Sequence, residues 1–166
     1  MLLITHTAMG VLISSLSNNP VLGASCAVVS HYVLDIIPHE SKEELFYVPP
    51  KKTDWDDEVK NNINRRTKNS VFDLVVALVI FFSYCFLKIE LNIESLLPVC
   101  IIVSFSILPD ILTVIYLKYP TKILTLHYNW HHNIHKILPV HYINYTVSVV
   151  YQVILSIGFF LIAIYN

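Results

Sequence analysis

His31, Asp35 and His39 recur at a spacing of four residues, and so do His127, His131 and His135. Each step of four advances only about 40° around a helix, so either set can line one face. Neutral imidazoles and carboxylates gathered in this way suit a divalent metal, with zinc expected and manganese or iron as alternatives. Three further residues belong with them. His6 and Asp73 stand at the starts of apolar segments, and Asp110 follows Pro109 inside one. A carboxylate within an apolar span is costly unless it has a partner, so Asp110 is expected as a metal ligand or, with Asp73, as a proton acceptor. The expected ligand set is His6, His31, Asp35, His39, Asp110, His127, His131 and His135. His132 points elsewhere on its helix, and His141 reads as an ordinary loop residue.

The local context sharpens both motifs. In His31-x-x-x-Asp35-x-x-Pro38-His39 the proline disfavours helix at Ile37, so a helix should end there with His39 turning back over it. In His127-x-x-x-His131-His132-x-x-His135 the interleaved Tyr128 and Trp130 suit a membrane interface. Pro109 removes one helical N–H, which favours a kink and a small polar cavity beside Asp110.

The elements that must carry these residues read as membrane helices. The chain is 55 % hydrophobic and only 14 % charged, against about 25 % charged in soluble proteins. Crossing about 30 Å of hydrocarbon takes roughly 20 apolar residues. Segments 70–88, 95–117 and 142–165 meet this, and 2–37 is split by Asn18-Asn19-Pro20 into a hairpin of two short helices. The expectation is an all-α, polytopic helical bundle in one integral membrane domain over 1–166. It has about five spans, a polar loop at 40–69, and a His-rich interfacial or inward-tucked amphipathic helix at 121–138.

Lys42, Lys51, Lys52, Lys60, Arg65, Arg66 and Lys68 fall in the polar loop, and five spans put Lys118, Lys122 and Lys136 on the same side. By the excess of lysine and arginine on cytoplasmic loops, that side is cytoplasmic, with the N-terminus in and the C-terminus out. His6, Asp35, His39, Asp73, Asp110 and the second histidine set then share one depth. A weak echo between 29–36 and 103–111 pairs Asp35 with Asp110 and His6 with Asp73, as parallel repeats would.

Other classes are disfavoured. A net charge of −1 offers no nucleic-acid surface. Cys26, Cys85 and Cys100 lie apart and form no Cys-x-x-Cys pair. There is no Gly-rich phosphate loop, Gly-x-Ser-x-Gly elbow or His-Glu-x-x-His helix.

Thr5-His6, the His31…Leu34-Asp35…Pro38-His39 block and Leu108-Pro109-Asp110 resemble the small bacterial inner-membrane proteins called membrane-bound metal-dependent hydrolases, of the LexA-regulated type. The Asp-x-Asp-His run of that family is here Asp35-Ile36-Ile37-Pro38-His39. The first block is also similar to the core motif of zinc-dependent phospholipase C enzymes. The resemblance implies metal-dependent hydrolysis, and an interfacial site implies a lipid or small phosphoester substrate, with the bilayer as the other partner. Two alternatives accompany this reading. His127-x-x-x-His131-His132 matches one histidine box of the di-iron membrane desaturases and hydroxylases. A non-enzymatic metal- or haem-binding or transport protein would also use clustered histidines.

Overall fold

The computed structural model describes residues 2–37, 57–88, 92–135, 137 and 144–166, and among them every regular element is an α-helix. His39 and His141 lie outside the described residues. The helices are α1 (Leu3–Leu16), α2 (Pro20–Ile36), α3 (Asp57–Lys88), α4 (Ile93–Lys118), α5 (Lys122–Ile134) and α6 (Tyr145–Tyr165).

Their ends follow local rules. Asn19 caps α2, its side-chain oxygen accepting from Val21 N at 2.9 Å and Leu22 N at 3.1 Å, with Pro20 in the first turn. Asn92, Thr121 and Asn144 cap α4, α5 and α6 in the same manner. α2 stops at Ile37, which is extended, one residue before Pro38.

Three helices, not the five expected, are long and apolar enough to cross a membrane: Lys68–Lys88 within α3, Ile93–Lys118 and Thr146–Tyr165. The Asn-Asn-Pro break leaves α1 with 14 residues and α2 with 17. At 1.5 Å per residue these are about 21 and 26 Å long, short of about 30 Å of hydrocarbon. A second correction concerns 40–69, expected as a loop. From Asp57 onward it is helix, a polar extension of the α3 span.

A short helix, α1, sits in the middle. α1 packs against α2, α3, α4 and α6, and its consecutive residues Ile4 to Ala8 are all buried. Val11 of α1 packs with Tyr84 of α3, Val99 and Val103 of α4, and Ala163 of α6. α1 and α4 approach closely at Gly10, where an added Cβ would lie 2.5 Å from Ser106 Oγ and 3.1 Å from Val103 Cα. α5 tucks inward onto α4, stacking Tyr128 on Tyr116 at 4.4 Å, and reaches α2 through Trp130 against Tyr32 at 4.5 Å. α3 leans on α1 and barely meets α4, whereas α1 and α2 are packed together. The two halves therefore do not pack as equivalent repeats.

The first turn of α1 is closed by other helices. The Asp73 carboxylate on α3 accepts from the backbone N–H of Leu3 and, at 3.1 Å, of Ile4. Gln152 Oε1 on α6 accepts from Leu2 N at 2.6 Å. Gln152 also donates to Ser148 Oγ at 2.8 Å, and Ser156 Oγ donates to Thr5 Oγ1 at 3.1 Å, giving a buried polar seam between α6 and α1.

Candidate metal centre

Four helices deliver side chains to one point. His6 is on the first turns of α1, His31 and Asp35 lie on the last turns of α2, Asp110 follows Pro109 in α4, and His131 is near the end of α5. His6, His31 and Asp35 are fully or almost fully buried, and His131 nearly so. Asp110 alone is open, its side chain 26 % exposed.

The contacts are close. Asp35 Oδ2 lies 3.0 Å from His31 Nε2 and 2.8 Å from His131 Nε2, and those two nitrogens are 3.3 Å apart. Asp35 Oδ1 lies 3.2 Å from His6 Nε2. Asp110 Oδ2 is 3.9 Å from His6 Nε2, while its Oδ1 is 3.8 Å from His31 Nε2 and 3.9 Å from His131 Nε2. The imidazoles of His6 and His31 stack at 3.8 Å.

Hydrogen bonds behind the cluster set the proton positions. His31 Nδ1 lies 2.7 Å from the carbonyl oxygen of Ser106, so Nδ1 carries the proton that it donates. Thr113 Oγ1 donates its single proton to Pro109 O at 3.1 Å, and must accept from His131 Nδ1 at 3.0 Å. With Nδ1 of each ring committed to its outer partner, both rings turn Nε2 toward Asp35. Orientation of this kind is what metal-ligating histidines receive from their outer partners. His6 is fully buried, and among the described residues neither ring nitrogen has a well-aligned hydrogen-bond partner. Its Nε2 lies 3.2 Å from Asp35 Oδ1.

The inward surface thus gathers three Nε2 atoms and two carboxylates. One proton shared between His31 and His131 would satisfy one contact and leave the rest unmatched. A divalent cation satisfies all of them and balances the two carboxylates. Tetrahedral zinc, with bonds near 2.0–2.1 Å, places its donors about 3.3 Å apart, as several of these atoms already are. His6, His31 and Asp110 offer ligand atoms within 4.8 Å of one another, and so do His31, Asp35 and His131. This buried cluster can hold a metal ion.

Not every expected residue joins it. His127 Nε2 donates to Pro109 O at 3.0 Å, so that nitrogen serves the α4 backbone and is unavailable as a ligand. Burial pushes its pKa down, partly opposed by the bond to Pro109, which keeps the ring neutral. Asp73, expected as a proton acceptor, has its carboxylate committed to the N–H groups that open α1. His135 stands at the margin, Nε2 3.7 Å from Asp35 Oδ2. Sequence reasoning missed Thr113 and the Ser106 carbonyl. Thr113 sits four residues after Pro109, where a threonine hydroxyl reaches back to the proline carbonyl, and that spacing was the available signal.

Comparison of the chain with protein-family models, with characterised proteins and with solved structures finds no match. The chemistry of the cluster is accordingly read from its own geometry.

Proposed function

We propose that this protein is a membrane-embedded, metal-dependent hydrolase acting at the cytoplasmic face on a lipid-like phosphoester. The observation that carries the reading is the convergence of three inward-facing imidazoles and two carboxylates on a buried point with Asp110 open on one side. A divalent ion, zinc by the nitrogen-rich donor set, supplies Lewis acidity to a phosphoryl or ester oxygen and lowers the pKa of a bound water. His31, Asp35 and His131 would hold the ion and leave a position for that water, with His6 against Asp35 on its far oxygen. Asp110, the partly exposed carboxylate, takes the proton of the attacking water.

A cavity lined by sequence neighbours of His6 and Asp110 supports the substrate class. Because α3 and α4 barely touch, a largely apolar cavity of about 170 Å³ lies between α1, α3 and α4, lined by Thr7, Leu74, Phe81, Cys100, Ser104 and Ile107 among others. Thr7 follows His6 directly, and Ile107 lies one turn before Asp110. An acyl chain entering from the bilayer through this gap would bring its head group to the open side of the cluster. The resemblance to membrane-bound metal-dependent hydrolases points the same way. The histidine-box reading is weakened, since His127 is occupied by a backbone carbonyl.

The test is release of phosphorylated head group from a panel of phospholipids by zinc-loaded protein in detergent, beside Asp35→Ala and His131→Ala. Turnover by the wild type that both variants lose supports the proposal. Turnover that persists in both variants, or wild-type protein that binds no metal, sinks it.

A further inference from the structure

Hydroxyls inside these helices commonly bond back to their own backbone. Ser14, Ser15 and Ser106 donate to the carbonyl three residues earlier at 2.7, 2.8 and 2.7 Å. Thr7 differs. It is 2 % exposed, and its Oγ1 is, among the described residues, the one buried hydroxyl without a hydrogen-bond partner. Thr7 also lines the cavity of about 170 Å³ between α1, α3 and α4. From this we infer that the cavity seats the ester end of an acyl chain, Thr7 Oγ1 donating to the ester carbonyl, so that ester-linked lipid is selected over ether-linked lipid. The inference rests on the lipid-like substrate class proposed above.

Position and chemistry both support this seat. His6 and Thr7 are consecutive, about 100° apart around α1, so one side chain enters the cluster and the next lines the cavity. On α4 the same division falls to Asp110 and, one turn earlier, Ile107. In a glycerophospholipid the ester carbonyl lies only a few bonds from the phosphate. A phosphate at the open side of Asp110 therefore brings that carbonyl toward the Thr7 end of the cavity. Beyond it Leu78, Phe81 and Ile107 are hydrocarbon, and among the lining side chains only Ser104 and Cys100 add polar atoms. Apolar cavities of about 150 Å³ stay dry and take up apolar guests, because a water needs two to four polar partners. Leu78 and Cys100 are exposed on α3 and α4, two of the candidate spans, so the cavity opens toward the bilayer. An ether-linked chain of equal length fills the same space without a carbonyl and leaves the hydroxyl unpaired, the basis on which a polar site rejects an analogue.

The experiment measures binding on the full chain, purified in detergent and stripped of metal with chelator so that no turnover intervenes. Diacyl phosphatidylglycerol and its dialkyl ether analogue, equal in chain length, compete for the first lipid bound, and native mass spectrometry reads their ratio. The wild type should favour the diacyl lipid by about two- to tenfold, the worth of one hydrogen bond. Thr7→Val, which keeps the side-chain shape, should bind both lipids equally, and Thr7→Ser should restore the preference. Circular dichroism on each variant shows that the fold is kept. No preference in the wild type, or a preference that survives in Thr7→Val, overturns the inference, and so does a wild type that binds neither lipid. The hydrolase reading is decided separately by turnover of the zinc-loaded protein: turnover without ester preference leaves it standing alone, and ester preference without turnover leaves the lipid seat alone.

Discussion

Thr113 shows how much a single hydroxyl can decide. It has one proton and gives it to the Pro109 carbonyl, so His131 Nδ1 must be the donor in the bond between them. The tautomer that presents Nε2 to Asp35 follows. Thr113→Val keeps the side-chain shape and removes that acceptor, and loss of such an outer partner typically costs 10–100-fold in metal affinity. The expected outcome is a zinc affinity about 10–100-fold lower, measured by competition with a chromogenic chelator, with recovery in Thr113→Ser. An unchanged affinity would mean that the hydroxyl does not orient the ring. At this scale, His31, Asp35 and His131 were legible because spacing by four is a pattern and because charge or imidazole in an apolar run stands out. Thr113 was legible only through its spacing from Pro109, since a threonine in an apolar helix is otherwise unremarkable until its partner is known. His127 misled for the converse reason: it shares the face of His131, but a backbone carbonyl lies within its reach.

Helix ends explain what happened to Asp73. Its carboxylate occupies the position an N-cap side chain would take for α1, which has no cap of its own. A negative charge there also meets the positive end of the helix dipole. Asp73→Ala should lower stability by about 1–2 kcal/mol in chemical denaturation, a loss like that of a helix cap, while zinc stoichiometry is retained. Loss of metal without loss of stability would instead place Asp73 in the site. The seam on α6 was hidden in plain view. Ser148, Gln152 and Ser156 repeat every four residues, as the histidines do, but their modest polarity let them pass as part of an ordinary span. The helix over 57–69 was hidden by its charge. Polar residues on all sides give no periodicity, and only continuity with the apolar span carries the helix through them. The count of spans failed at the Asn-Asn-Pro break, which divides a long apolar stretch into two helices of insufficient length.

For the molecule as a whole, charge and site share one end. α3 and α4 run antiparallel, so the polar start of α3, with Lys60 and Lys68, lies with Lys118 and Lys122 at the end of the bundle that holds the cluster, and Lys88 lies at the other. This asymmetry does not depend on α1 and α2 crossing the membrane. With the native cysteines replaced, Lys60→Cys should resist a membrane-impermeant thiol reagent applied outside intact cells, and Lys88→Cys should react. The reverse labelling would put the site on the outer face. The central position of α1 has a consequence for how the molecule is made. α1 leaves the ribosome before the other helices, yet the acceptors for its opening N–H groups arrive later, Asp73 on α3 and Gln152 on α6. Each such group left bare in hydrocarbon costs several kcal/mol. The N–H groups that open α1, one turn ahead of His6, therefore have their acceptors only once α3 and α6 are packed against it. Assembly is its own gate: a chain halted before α6 would carry every donor of the cluster while the opening of α1 still lacked Gln152.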